Sequence, residues 1–331
     1  MKTLVTGGAG YIGSTVASAL LDAGHTPIIL DSLVTGKKEF TTDRIFYQGD
    51  IADHNLLTKI ITDHPDIECC MHFAARTIVG ESVAQPYLYY TENLVKSIAL
   101  FNSLHLLGIT KIIFSSSASL YKETEQGMVT EESPVDPLSP YARTKLAVEM
   151  VLEDFCNAGH LRGISLRYFN PIGADKQMRT GPFVAEPSHI LGKLVNTALG
   201  TEPAFHIMGA DWQTRDGTAI RDYIHIWDLS RAHVLAAEKF DTTFTEKNSA
   251  YSVINLGSGK GVTVKEFVEA FLHVWGKEMG IKYTNRRPGD VVGAYAVCTK
   301  AEALLGWRAN FSVEEGIRDA LHWTNRRNHN D

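Results

Sequence analysis

Cysteine is scarce in this chain, and the few that occur do not form a metal site. The 331 residues include four cysteines, Cys69, Cys70, Cys156 and Cys298. They contain no CxxC pair and no Cys/His cluster with metal-ligand spacing. Cys69 and Cys70 lie in an apolar run that is typical of a buried strand. We therefore expect no metal and four reduced, mostly buried thiols, as in a cytoplasmic protein.

Long apolar runs and basic clusters are also missing. No hydrophobic segment approaches the ~20 residues that a membrane-spanning helix needs, and residues 1–6 are too few for the core of a secretion signal. The net charge is −6, and no basic stretch indicates a nucleic-acid partner. We expect neither a membrane nor a nucleic acid as partner.

The first half of the chain alternates short apolar segments with amphipathic ones. Strands are predicted at 3–6, 27–30, 45–48, 67–73, 111–115 and 163–168. Helices are predicted at 11–23, 55–63, 94–107 and 140–157. This alternation predicts an α/β protein built on a Rossmann-type doubly wound parallel sheet with helices on both faces.

The pattern changes after residue 170. Glycine, proline and short mixed segments dominate from 173 to 218. Regular elements are then predicted at 221–225 (strand), 226–240 (helix), 251–255 (strand) and 264–275 (helix). We predict a first domain over 1–170 and a smaller substrate-binding part over 171–331, with segments that cross back to the first domain.

A glycine-rich turn follows the first predicted strand. It matches GxGxxG through Gly8, Gly10 and Gly13. Such glycines allow a tight turn and let a pyrophosphate approach the backbone, while the following helix offers free N–H groups. Asp31 ends the second strand, and a carboxylate there accepts hydrogen bonds from a ribose diol and repels a 2′-phosphate. NAD is therefore the expected cofactor, although an aspartate that only begins a turn is the alternative.

Ser117, Tyr141 and Lys145 form the candidate catalytic set. Ser117 follows the fifth strand, whose carboxyl end faces the ligand crevice of such a sheet. Tyr141 and Lys145 are four residues apart on a predicted helix and so share one face. A nearby positive charge lowers the pKa of a phenol and makes it a usable base. Taken singly, the pair is compatible with a surface contact and the serine with a turn. Together they predict proton and hydride exchange at a hydroxyl group.

The sequence resembles the extended short-chain dehydrogenase/reductase superfamily, and within it the NAD-dependent sugar-nucleotide epimerases. The resemblance covers nearly the whole chain. The glycine turn and the Tyr-x-x-x-Lys motif are shared by the whole superfamily, whereas segments 216–225 and 286–290 are more specific to the epimerases. Further similar segments are 72–75, 79–82, 114–117, 166–173 and 255–259.

The resemblance implies an isomerase that interconverts UDP-galactose and UDP-glucose through a 4-keto intermediate, with a retained NAD. Tyr141 would remove the proton of the 4-hydroxyl, Ser117 would bind the 4-oxygen, and Lys145 would lower the Tyr141 pKa and bind the nicotinamide ribose. The residues implied at the cofactor are Gly7, Gly10, Tyr11, Ile12, Gly13, Asp31, Asp50, Ile51, Phe73, Ala74, Ala75, Asn93, Ser115, Tyr141, Lys145 and Tyr168. Those implied at the UDP-hexose are Ser117, Tyr141, Asn170, His189, Arg221, Tyr223, Arg287, Asp290 and Ala294.

Some of these assignments also make chemical sense by themselves. Arginine binds phosphate oxygens with paired N–H donors, and Arg221 and Arg287 stand in segments otherwise poor in positive charge. A surface ion pair is the alternative for each arginine. For His189 the alternative is a polar residue that begins a helix, and for Asp50 it is a Gly-Asp turn.

The chain departs from the family pattern at three positions. Thr77 stands where some members carry a lysine that contacts the cofactor, so that contact is lost or taken over by Arg76. Glu92 replaces a frequent asparagine ahead of Asn93. Ala294 stands where a tyrosine restricts the sugar pocket. A small residue there leads to the hypothesis that UDP-N-acetylglucosamine and UDP-N-acetylgalactosamine are accepted as well.

Other functions on the same scaffold remain as alternatives. A sugar-nucleotide 4,6-dehydratase needs a further acid/base pair directly after the strand's serine, and this chain has Ala118 and Ser119 there. A non-catalytic NAD-binding regulator would have lost the proton-transfer residues, which are all present. Helices 94–107 and 147–155 form a homodimer interface in relatives, while packing within one chain explains the same apolar pattern.

Overall fold

The computed structural model describes residues 1–123, 127–184, 186–244, 249–286 and 292–328. The helices are α1 (Tyr11–Asp22), α2 (His54–Asp63), α3 (Val79–Ala84), α4 (Pro86–Tyr89), α5 (Lys96–Leu106), α6 (Pro140–Asn157), α7 (Ile190–Ala198), α8 (Ile226–Glu238), α9 (Val264–Trp275), α10 (Thr299–Leu305) and α11 (Val313–Asn328). The strands are β1 (Lys2–Thr6), β2 (Thr26–Asp31), β3 (Ile45–Gln48), β4 (Ile67–His72), β5 (Lys111–Ser115), β6 (Met128–Val129), β7 (Arg162–Tyr168), β8 (Asn170–Ile172), β9 (Phe205–Met208), β10 (Ile220–Arg221), β11 (Tyr223–His225), β12 (Tyr251–Leu256), β13 (Val262–Thr263), β14 (Ile281–Thr284) and β15 (Tyr295–Ala296). In this described part of the chain, no helix is both long and apolar enough to cross a membrane.

The central sheet of the described chain has seven parallel strands in the order β3-β2-β1-β4-β5-β7-β12. Its inner strands are almost wholly buried, as expected for parallel strands covered on both faces. The strand order reverses between β1 and β4, and ligands of such sheets bind beyond the carboxyl ends of the strands at this reversal. The prediction of a Rossmann-type α/β fold is confirmed.

Helix α8 and strand β12 belong to the second half of the chain but pack with the first. Leu229, Ala232 and Ala236 of α8 share a buried core with Val16 and Leu20 of α1. Strand β12 extends the sheet beyond β7. The sheet is therefore completed only by residues far along the chain.

The remaining second half forms a smaller layer beside the carboxyl ends of the sheet. Helices α7, α9 and α11 pack with β9 around a separate core that includes Leu194, Phe267, Phe271 and Ile317. Strand β14 pairs with β9, and β8 pairs with β11. This layer forms the far wall of the cleft described below.

Two predicted elements differ in the structure. The helix predicted at 94–107 is preceded by α3, α4 and a π-helical segment, Tyr90–Val95, before α5 begins. The strand predicted at 221–225 is divided, because Ile220–Arg221 pairs with β13 whereas Tyr223–His225 pairs with β8. Pairing with two distant strands cannot be read from local hydrophobicity.

Candidate active site

A cleft of about 870 Å³ lies beyond the carboxyl ends of the sheet strands, between the sheet and the α7 and α11 layer. It brings together most of the residues that the sequence assigned to a cofactor. Those that line it are Gly7, Gly10, Tyr11, Ile12, Gly13, Asp31, Asp50, Ile51, Phe73, Ala74, Ala75, Ser115, Tyr141, Lys145 and Tyr168.

The glycine turn packs so closely against neighbouring backbone that a side chain at Gly7 or Gly13 would clash. Gly7 has φ +69°, and a Cβ there would lie 2.6 Å from the nitrogen of Ala74. A Cβ on Gly13 would lie 2.4 Å from the oxygen of Gly7. Helix α1 begins at Tyr11 without a side-chain cap on its first N–H groups. This cradle fits a pyrophosphate, because uncapped N–H groups at a helix N-terminus bind anions.

Asp31 presents a fixed carboxylate at the end of β2. Its two oxygens accept hydrogen bonds from the backbone nitrogens of Ala9 (3.0 Å) and Leu33 (2.8 Å). Burial raises the pKa of Asp31, and these two bonds oppose the rise. Each oxygen keeps a second lone pair, so the group can still accept from a ribose diol.

Asp50 belongs to an ion-pair network that the sequence did not reveal. Lys96 Nζ lies 2.6 Å from Asp50 Oδ2 and 2.8 Å from Glu92 Oε1, and all three side chains line the cleft. Burial acts to raise the pKa of Asp50, but the bonds from Lys96 and the nitrogen of Ala52 outweigh it and the net pKa is lowered. The i, i+4 spacing of Glu92 and Lys96 is the one local signal that could have suggested the pair.

Asn93 lies beneath the cleft wall rather than in its lining. Its side chain accepts from the nitrogen of Arg76 (2.8 Å) and donates to the oxygen of Arg76 (3.0 Å). It thereby fixes the backbone of Arg76, whose guanidinium lines the cleft beside Thr77. Within the described residues, Nε of Arg76 has no hydrogen-bond partner. A cation is thus present next to the position where the family lysine is missing.

Ser117 and Tyr141 meet in the cleft from different elements. Ser117 ends the segment after β5 and caps a short 3₁₀ helix, Ala118–Leu120, by accepting from the nitrogen of Ser119 (3.1 Å). Tyr141 stands in the first turn of α6, whose start is fixed by Ser139 as N-cap and Pro140. Both side chains line the cleft, and the Ser117 hydroxyl acts to lower the pKa of Tyr141.

Lys145 lies one helical turn beyond Tyr141. Its Nζ donates to the backbone oxygen of Ser115 at 2.7 Å and lies 4.9 Å from the ring centroid of Phe114. Burial lowers the pKa of Lys145 to about 7, while the charge of Glu149 acts against this. The side-chain amine of Lys145 is therefore only partly protonated near neutral pH.

The expected lowering of the Tyr141 pKa is not found in this structure. Burial raises the pKa of Tyr141, and the hydrogen bond with Ser117 opposes only part of the rise. The physical reason is that a phenolate in this cleft loses its hydration, while Lys145 donates to a carbonyl rather than to the phenol. Tyr141 is therefore a proton donor in its resting state.

The residues assigned to the UDP-hexose are only partly brought together. Asn170 and His189 line the cleft, and His189 also begins α7 by accepting from the nitrogen of Gly192 (3.2 Å). Tyr223 is buried against Phe267, with ring centroids 4.1 Å apart, and lies outside the lining.

Arg221 and Ala294 are also absent from the described cleft lining. Arg221 Nη1 donates to the oxygens of Ile220 (2.6 Å) and Val292 (3.0 Å). Arg287 and Asp290 lie outside the described residues. The roles of these side chains at a substrate stay predictions.

Comparison with known proteins identifies the family. The model of the NAD dependent epimerase/dehydratase family matches residues 3–257. The chain belongs to this family. Among family members, it is 40% identical to a UDP-glucose 4-epimerase of Halalkalibacterium halodurans, over 98% of this chain and 95% of that protein.

Solved structures of family members agree with the assignment. A UDP-glucose 4-epimerase from Stenotrophomonas maltophila, with bound NAD and formylated UDP-arabinopyranose, superposes with a TM-score of 0.94 at 34% identity and covers 100% of both chains. The enzyme from Bifidobacterium longum, in complex with NAD⁺ and UDP, gives a TM-score of 0.91 at 32% identity and again covers 100% of both chains. NAD is the cofactor of this family, and the glycine cradle with Asp31 fits it.

Proposed function

We propose that this protein is an isomerase that interconverts UDP-galactose and UDP-glucose by epimerisation at C4, with a retained NAD. The observation that carries the proposal is that Ser117 and Tyr141 line the same cleft as the glycine cradle. Membership of the epimerase/dehydratase family and the names of full-length relatives support it.

The chain's own groups account for the proton transfers. When bound, NAD supplies the acceptor and donor of the hydride at C4. Tyr141 exchanges the proton of the 4-hydroxyl, and Ser117 holds the 4-oxygen within hydrogen-bond reach. Lys145, one turn away on α6, provides the positive field in which Tyr141 can release its proton. The cleft of about 870 Å³ has to hold NAD as well as the UDP-sugar.

The dehydratase alternative is not favoured by the site. Expulsion of a 6-hydroxyl needs an acid/base pair next to Ser117. Ala118 has no such group, and the Ser119 hydroxyl lies 2.8 Å from that of Ser117. A serine hydroxyl is too weak an acid to replace a carboxyl group.

The UDP-hexose is proposed to bind at Asn170 and His189, together with Arg221, Tyr223, Arg287, Asp290 and Ala294. Support comes from the family resemblance and from the cleft lining at Asn170 and His189. The small side chain of Ala294 favours turnover of the two N-acetylated UDP-sugars as well. Equal turnover of UDP-N-acetylgalactosamine and UDP-galactose, with selective loss of the former in Ala294→Tyr, would support this. Absence of turnover of the acetylated sugar in the unsubstituted protein would contradict it.

We also propose a homodimer. Exposed apolar side chains lie on neighbouring helices, namely Val83 (α3), Tyr87 (α4), Ile98 (α5) and Met150 (α6). An exposed apolar patch is typical of an interface. Light scattering should give twice the chain mass, and Ile98→Glu should reduce it to the monomer.

The location proposed for this protein is the cytoplasm. All four cysteines are free, which suits a reducing compartment. Burial raises the pKa of the Cys69 and Cys156 thiols to about 12, so these thiols are held in the unreactive protonated form.

The deciding experiment mixes the purified protein with UDP-galactose, without added NAD, and follows UDP-glucose by chromatography. Product formation is expected, because NAD is restored in each cycle and stays bound. Absence of product, even after NAD is supplied, would overturn the proposed reaction.

A further inference from the structure

A buried ion pair lies directly behind the catalytic side chains. Arg167 Nε lies 3.0 Å from Glu149 Oε1, and Nη2 lies 2.6 Å from Oε2. The side chains are only 7% and 4% exposed. Glu149 lies on α6, two turns after Tyr141 and one turn after Lys145, and Arg167 lies on β7 next to Tyr168.

Three consecutive serines connect the end of β5 to this face of α6. The backbone oxygen of Ser115 accepts from Lys145 at 2.7 Å. The hydroxyl of Ser116 donates to Glu149 Oε1, and Ser117 lies near Tyr141 and acts to lower its pKa. Each serine therefore faces a different turn of one helix, and Ser116 is the member that meets neither catalytic side chain.

Arg167 extends the connection to the neighbouring strands. Its guanidinium lies 5.0 Å from the ring centroid of Tyr121, and the Tyr121 hydroxyl donates to Asn255 Oδ1 of β12 at 2.6 Å. Ser116 is held in addition by its own nitrogen, which donates to the oxygen of Leu166 on β7 (3.0 Å). Helix α6, the serine segment 115–117 and strand β7 are thus all connected through the carboxylate of Glu149.

Stability alone is a weak reason for such a pair. The cost of removing two charges from water often exceeds their attraction, so apolar residues of similar volume stabilise a core at least as well. What a hydrogen-bonded pair adds is direction, because the carboxylate has to meet the guanidinium and the Ser116 hydroxyl at fixed angles. This fixes the rotation and height of α6 relative to the serine segment.

We propose that Ser116, Glu149 and Arg167 form a positioning clamp that holds Tyr141 and Lys145 in register with Ser117 during catalysis. The inference rests on the epimerisation proposed above. The clamp does not contact the substrate. It affects the reaction by fixing the position of Tyr141 and by maintaining the charge of Lys145.

The surroundings of Lys145 make the charge effect testable. The groups that face its ammonium are Tyr141 and Glu149 on its own helix, the Ser115 oxygen and the Phe114 ring from β5, and His72 from β4. Tyr168 of β7 is hydrogen-bonded to the Ser115 side chain, and Arg167 lies beyond Glu149. Burial lowers the pKa of Lys145, and Glu149 is the carboxylate that opposes this. Loss of the Glu149 charge should therefore deprotonate Lys145 at lower pH.

The test compares two clamp variants with a control on the same helix. Glu149→Gln removes the charge at nearly constant volume, and Ser116→Ala removes only the link to the serine segment while it leaves the ion pair intact. Glu153→Gln makes the first change again one turn further along α6, at an exposed position. Each variant is assayed as the full-length NAD-loaded protein for kcat, KM, the pH profile of kcat, NAD content and urea midpoint.

We expect kcat to fall by on the order of 10²-fold in Glu149→Gln, as for other misplacements near 1 Å, with little change in KM. The alkaline limb of its kcat profile should move down by about one pH unit. In Ser116→Ala, kcat should fall while the alkaline limb stays in place, and Glu153→Gln should match the unsubstituted protein.

Two results would overturn the clamp. One is a Ser116→Ala variant with normal NAD content and unchanged kcat, which remains decisive even where Glu149→Gln fails to fold. The other is a folded Glu149→Gln variant whose kcat and pH profile are both unchanged. Absence of epimerase activity in the unsubstituted protein would instead refute the proposed function, so the two failures are distinguishable.

Discussion

Ser117 and Tyr141 line the same cleft, although one follows a strand and the other begins a helix. The arrangement places a hydroxyl that can hold a substrate oxygen near the phenol that exchanges the proton. Because burial raises the pKa of Tyr141, the phenol rests in the protonated form. It must therefore lose this proton before it can take one from the 4-hydroxyl of the substrate.

Replacement of Tyr141 by phenylalanine should remove the proton transfer and little else. We expect kcat to fall by about 10²–10⁴-fold, the usual contribution of a positioned acid or base, while NAD stays bound. Chromatographic assay of UDP-glucose and release of NAD by denaturation measure the two effects. Tyr283→Phe, at a side chain of β14 that is 55% exposed, is the matched control. A Tyr141→Phe variant with normal kcat would contradict the assignment.

Replacement of Gly7 by alanine should release the cofactor. The new Cβ would lie 2.6 Å from the nitrogen of Ala74, where the backbone cannot yield. Gly24→Ala is the control, because Gly24 also has a positive φ (+79°) but has no atom within 4 Å of a new Cβ. Both variants carry the same backbone strain, so only Gly7→Ala should be purified without NAD. Equal NAD content in the two variants would argue against the cradle.

Replacement of Lys96 by methionine should lower the affinity of the protein for NAD. Asp50 would lose the ammonium at 2.6 Å that lowers its pKa, and two carboxylates would face each other across the gap left by the charge. We expect about tenfold weaker binding, or about 1.4 kcal/mol, measured by titration of the NAD-free protein.

The control for Lys96 is Lys59→Met. Lys59 pairs with Asp63 at i, i+4 on the exposed face of α2, away from the cleft lining. The Lys59→Met variant should bind NAD with the same affinity as the unsubstituted protein. Identical NAD affinity in both variants would remove Lys96 from the cofactor site.

Acid should destabilise the protein through two buried histidines. Burial lowers the pKa of His72 to about 3 and that of His233 to about 4, from an ordinary value near 6.5. Below pH 6.5 the two imidazoles therefore become protonated in the unfolded chain while they stay neutral in the folded chain. The free energy of unfolding should fall as pH drops from 6.5 towards 4, by up to about 1.4 kcal/mol per pH unit for each histidine.

The His233→Leu variant tests the contribution of one of these histidines. Urea titrations between pH 7 and 4.5 give the slope of the unfolding free energy against pH. In His233→Leu this slope should be smaller than in the unsubstituted protein, by an amount that corresponds to up to one proton taken up on unfolding. His273→Leu makes the same change at an exposed position of α9 and should leave the slope unchanged. Equal slopes in the two variants would show that His233 is not the source.

The fold was largely predictable because its main signals are local. The strand–helix alternation placed β1 to β5 and α6 to within about two residues, and the glycine turn and the Tyr141–Lys145 spacing indicated the site. Dependence on distant partners limited the rest. The bond from Lys145 to Ser115, the bridge from Lys96 to Asp50 and the burial of Tyr223 arise only when separate elements meet.

Arg167 illustrates a signal that the sequence carries but that is easily passed over. It is a charged residue in the apolar run of β7, RGISLRY. A charge in a strand covered on both faces needs a buried partner, and Glu149 follows the Tyr-x-x-x-Lys motif at the next helical turn. The sequence alone could raise the question of a partner, but the pairing itself required the structure.

Strand β12 forms the outer edge of the sheet although it lies far along the chain. A nascent chain on the ribosome therefore exposes the hydrogen-bonding edge of β7 until residue 256 has emerged. An exposed edge of this kind pairs readily with other strands. The growing polypeptide is therefore open to self-association at this edge while residues 169–256 are being made, and a product truncated within that range would keep the edge unpaired.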